Sequence, residues 1–101
     1  MDENISEFVS WLQDKGQDLP PFSDKLRDDV AKIVEEGYDN AKSDVLSRKD
    51  LDNREMLGMT AVLQKLQDLK IKPEEGSYLV RRIDAITRSG AECDECMGNL
   101  R

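Results

Sequence analysis

A chain of 101 residues has room for one domain, and its 22 acidic against 15 basic side chains leave a net charge of −7. Such a balance repels phosphate backbones and anionic membrane surfaces, so direct nucleic-acid binding is not expected. With no histidine in the chain, the commonest general base and metal ligand is missing, and so is any Ser-His or Cys-His nucleophile; a non-enzymatic role is expected.

The charge is unevenly placed. Residues 1–46 carry 12 acids against 5 bases, residues 47–91 carry 7 against 9, and residues 92–101 carry 3 against 1. Apolar residues make up 38% and charged residues 37%, which suits helices with one buried stripe and a wide wet face. No apolar run approaches the roughly 18 residues of a spanning helix. The first residues also lack the basic start and greasy centre of a signal peptide. A cytoplasmic protein with reduced thiols is the expectation.

The first predicted helix covers residues 4–15. Asn4 stands as its cap, with Glu7 in the capping-box position, and Ile5, Phe8, Val9 and Leu12 recur on one face. Trp11 falls near the edge of that face. Gly16 is a stop signal, and the two prolines of Asp18-Leu19-Pro20-Pro21-Phe22 make a rigid connector.

Ser23 is the natural cap of a second helix, 24–46. Its stripe is Leu26, Val30, Ile33 and Val34, continued by Ala41, Val45 and Leu46. Gly37 falls inside this span and weakens it by about 1 kcal/mol relative to alanine; one long helix with a weak point is the expectation. The acids Asp24, Asp28, Glu35 and Asp39 read as its solvated face, helped by i,i+4 pairs such as Asp28–Lys32. As a stripe they also fit an acidic nucleic-acid mimic, an alternative that predicts steep weakening by salt.

Ser47 and Asp50 have capping-box spacing and place a third helix at 48–70. Its apolar positions are Leu51, Met59, Val62, Leu63, Leu66 and Leu69, and Gly58 beside Met59 is suited to a close approach by neighbouring backbone. Pro73 opens a fourth helix, 74–89, with Glu74 and Glu75 at its positive end. Gly76 is expected to delay its regular part to about Ser77, and its stripe is Leu79, Val80, Ile83 and Ile86. Lys70, Lys72, Arg81, Arg82 and Arg88 give this half a basic face suited to the acidic half of the same chain or of a partner. The fold class is all-α: a compact bundle of about four helices over residues 1–90, with an acidic C-terminal tail at 91–101.

The tail holds both cysteines, Cys93 and Cys96, as a Cys-x-x-Cys pair. A structural zinc wants four ligands, and one chain supplies neither a second pair nor a histidine. Two chains would each contribute a pair across a dimer, which makes a zinc-linked regulator the alternative to a cofactor-free protein. The flanking Glu92, Asp94 and Glu95 are expected to raise the thiol pKa and work against a redox role, and unremarkable tail thiols are the first reading of the pair, ahead of metal ligands.

The function expected from these features is protein binding through helix faces, as an adaptor, a chaperone-like cofactor or a small inhibitor, with a homodimer the expected state. Trp11, Phe22, Tyr38 and Met59 are the candidate partner anchors, being large apolar side chains of the kind that fill interface pockets. The competing reading of each is the core, which for a methionine at helical spacing is the commoner place.

Overall fold

The computed structural model describes residues 3–89, and within them every regular element is a helix. The elements are α1 (Glu3–Lys15), a 3-10 turn (Gly16–Asp18), α2 (Asp24–Val34), α3 (Tyr38–Ser47), α4 (Asn53–Asp68), α5 (Pro73–Arg81) and α6 (Ile83–Ser89). None of these helices is long and apolar enough to cross a membrane. The expected tail, 91–101, lies outside the described residues.

Two of the four expected helices are each a pair. The span 24–46 breaks at Gly37, whose backbone sits at φ 141° and ψ 145°, a conformation that residues with a Cβ rarely adopt. The N–H groups of Glu36 and Gly37 close the end of α2 on the carbonyls of Ile33 and Val34, at 2.9 and 3.0 Å. The chain then turns, and Tyr38 enters the core at the head of α3. The span 74–89 breaks at Arg82, which leaves helical geometry at φ −111° and ψ 11°. That bend lets α5 pack on α2 while α6 packs on α1.

The third helix starts five residues later than its expected onset. Ser47 does not cap it: the Ser47 hydroxyl donates back to the Asp44 carbonyl at 2.9 Å. The working cap is Asp52, whose carboxylate accepts from the Glu55 N–H at 2.8 Å. Glu55 returns the contact to the Asp52 N–H at 3.3 Å, completing a capping box. Arg48 stands between Ser47 and Asp52, bonded to Asp50 at 2.8 Å and to Asp29 of α2 at 3.3 Å, and it ties the connector down.

The remaining signals act where expected. Ser23 accepts from the Leu26 N–H at 3.1 Å and caps α2, and Pro73 begins α5. Contrary to expectation, α5 is regular through Gly76, because the missing side chain there makes room for the Tyr38 ring. At the end of α4, Lys70 takes a left-handed φ of 57°, and the Ile71 N–H reaches back to the Leu66 carbonyl at 3.1 Å. Ile71 thereby turns into the core.

The core runs through all six helices: Phe8 and Leu12 from α1, Leu26, Val30 and Val34 from α2, Val45 from α3. From α4 come Met59, Val62, Leu63 and Leu66, and from α5 and α6 come Leu79, Val80, Ile83 and Ile86. Full burial of each such side chain is worth about 1.5–3 kcal/mol. The stripe residues Ile5, Val9, Ile33, Leu51 and Leu69 pack at its margin.

Candidate interaction surface

Of the four expected anchors, three are core residues. Met59 has no exposure, Phe22 has 4% and Tyr38 has 9%, so a partner meeting the folded surface finds little of them. Tyr38 is held by its hydroxyl, which donates to the Ile71 carbonyl at 2.6 Å. Burial, with Glu75 and Glu74 nearby, pushes its pKa up to about 12. Trp11 alone is partly open. Its ring lies 5.8 Å from Phe8, and the Lys65 ammonium sits 5.9 Å from its centroid, within cation–π range.

Lys65 connects Trp11 to a more exposed feature. Residues spaced by four on a helix share a ridge, and Leu57, Ala61 and Lys65 make such a ridge along α4. Leu57 is 67% exposed, and Ala61 is exposed as well. Facing the ridge is the proline connector. Leu19 and Pro20 come within 3.3 Å of the place a Cβ would occupy at Gly58, and Phe22 within 3.2 Å. What approaches Gly58 is therefore the side chains of the connector, where neighbouring backbone was expected. The result is a groove of about 290 Å³ lined by Leu19, Pro20, Leu57, Gly58 and Ala61, with Arg54 and Asp18 as its charged members.

A second cluster joins α2 to the α5–α6 bend. Arg27 donates to the Arg81 carbonyl at 3.0 Å, pairs with Asp24, and has its Nε 3.9 Å from Asp84. Asp84 also accepts from the Phe22 N–H at 3.0 Å. Arg81 pairs with Asp28, which is bonded at 3.0 Å to Lys32 as well. These two cations hold the Asp28 carboxyl below its usual range, Lys32 contributing most. Of the bases expected to meet the acidic front half, Arg81 does so inside one chain through Asp28, and Asp28–Lys32 is the i,i+4 pair read from the sequence. With three carboxylates around two guanidinium groups the cluster is internally satisfied apart from Arg27 Nε, and its chemistry is that of a cross-brace between helices.

Comparison of the chain with protein-family models, with curated proteins and with solved structures found no match. The surface therefore has to be read from its own chemistry. Among the described residues no group of three or more acidic, cysteine or histidine side chains is placed to hold a metal ion. Cys93 and Cys96, the candidate zinc ligands, lie outside the described residues. Among the described residues the other large exposed apolar side chains are Leu46, 55% open, and Tyr78, 46% open. They stand apart from the groove lining, Leu46 on α3 and Tyr78 on α5 under the Arg82 guanidinium at 4.1 Å from the ring. Scattered singly, such residues are ordinary surface.

Leu57 and Leu19 were not among the expected anchors. The signal for Leu57 was present: it is a large apolar residue off the Met59–Val62–Leu63–Leu66 stripe, so a helix that buries that stripe must present it to solvent. Leu19 carried no such signal, because its placement depends on the packing of the connector against Gly58.

Proposed function

We propose that this domain acts by binding protein through the surface formed by Trp11, the 19–20 connector and the outer ridge of α4, as an adaptor, chaperone-like cofactor or small inhibitor and not as an enzyme. The observation that carries the reading is Leu57, a large aliphatic side chain 67% exposed along a groove whose other lining is Leu19, Pro20, Gly58 and Ala61 with Arg54 and Asp18 as its charged members. Apolar anchors in a central pocket with a charged margin are the usual anatomy of a protein interface. Trp11 extends the apolar strip at one end. A soluble cytoplasmic setting suits the acidic remainder of the surface, which keeps the chain dispersed while one face is occupied.

Copurification from the protein's own cells, read by mass spectrometry, tests it. Leu57→Glu is expected to reduce capture of the bound protein at least about tenfold, and Trp11→Ala to weaken it. Should both variants keep their helical circular dichroism and also keep the wild-type partner set, binding does not run through this surface.

A further inference from the structure

We propose that the occupant of the groove is the same groove on a second copy of the chain, docked about a two-fold axis. The inference rests on the reading of this face as a protein-binding surface, and it names the partner.

Charge placement argues for it. Of the two charged residues lining the groove, Arg54 stands on α4 and Asp18 on the 3-10 turn, and both are exposed. A two-fold contact is self-complementary, so a residue of one copy that meets a second residue of the partner is matched by the reciprocal pair. Swapping the two walls brings each Arg54 toward the other copy's Asp18 while the two Leu57 side chains share the apolar centre. A strongly acidic partner would meet Asp18, and a strongly basic one would meet Arg54; a copy of the same face satisfies both.

The distribution of acid points the same way. Two chains of net charge −7 repel each other, and the repulsion is least where local charge is balanced. Helix α4 carries Arg54 and Lys65 against Glu55 and Asp68, a balance α2 shares, whereas the 35–44 stretch carries Glu35, Glu36, Asp39 and Asp44 against Lys42 alone. The patch is narrow, so the interface belongs at the low end of specific contacts, on the order of 1,000 Å² in total, and a micromolar dissociation constant goes with it.

Sedimentation equilibrium of the full chain from roughly 1 µM to 1 mM, with reductant and a chelator present throughout, is the test. The wild-type chain is expected to pass from monomer to dimer within that range. Leu57→Glu should weaken the dimer at least about tenfold with an unchanged thermal midpoint, since the side chain is mostly in water. Asp18→Arg and Arg54→Asp should each weaken it, and the chain carrying both exchanges should recover most of the loss, which a merely structural role for either residue would not produce. A wild-type chain that stays monomeric to about 1 mM overturns the proposal. So does a dimer indifferent to Leu57→Glu, and so does one that forms only when reductant and chelator are left out, which would place the contact at the cysteines. If the chain is monomeric while Leu57→Glu still abolishes capture of a different protein, the binding surface stands and the second copy is the wrong occupant.

Discussion

The Tyr38 hydroxyl donates to the Ile71 carbonyl across 2.6 Å, and its ring fills the space that a side chain at position 76 would need. A Cβ built on Gly76 overlaps Oη and falls 3.0 Å from Cζ. One residue thus joins the head of α3 to the head of α5, and glycine at 76 is a requirement of that contact. Gly76→Ala is expected to destabilise the fold by about 1–3 kcal/mol, the usual range for overpacking a filled site, although alanine is the better helix former. In a Tyr38→Phe background the same substitution should cost less, because the overlapping atom is gone; Tyr38→Phe alone should cost about 1 kcal/mol for the lost hydrogen bond. Urea unfolding of the four chains in this cycle measures the coupling. Additive costs would mean that the ring and the glycine do not compete for the same space.

Helix boundaries depend on which polar side chain reaches which backbone N–H. Ser47 and Asp52 both stand where a cap belongs, and the hydroxyl of Ser47 is spent on the Asp44 carbonyl behind it while Asp52 closes a capping box with Glu55. Asp52→Ala is expected to cost about 1 kcal/mol and Ser47→Ala a few tenths, read as shifts of the urea midpoint at constant slope. Equal costs would return the start of α4 to Ser47. The two candidates look alike in sequence, since only the packed connector, pinned by Arg48 on Asp29 and Asp50, decides between them. The same limit explains the split helices. Gly37 marked a weak point, but its φ of 141° is imposed by Tyr38 having to turn inward, a contact 33 residues away along the chain. The stripes were legible because burial follows helical period: Leu26, Val30 and Val34 are all closed to solvent, as are Met59, Val62, Leu63 and Leu66. The groove was half legible. Leu57 stood off its stripe, whereas Phe22, Tyr38 and Met59 looked like anchors because an apolar side chain of any size reads the same in a core and at an interface.

Across the whole molecule, ion pairs link helices that also share one core. Arg81 with Asp28 and Arg27 with Asp84 join α2 to the α5–α6 bend, and Arg48 with Asp29 joins it to the 47–52 connector. Lys32 and Arg81 depress Asp28, Lys25 and Arg48 depress Asp29, and Arg48 holds Asp50 down to about 2. A carboxyl with a folded pKa below its unfolded value contributes stability that is present above the unfolded pKa and is lost as pH falls through the folded one. From pH 8 to about 5 no histidine titrates, so the urea midpoint should stay level. Below about pH 4 the unfolded chain takes up protons that the folded chain still refuses, and the midpoint should fall steadily toward pH 2. Asp50→Asn should flatten the lowest part of that limb, where Asp50, held down to about 2, takes up its proton. Salt near 1 M should shrink the whole limb, because these groups are open to solvent and are screened. A midpoint that holds its neutral value down to about pH 2.5 would show that the pairs do not bear on folding, leaving the apolar contacts between helices to fix their positions alone.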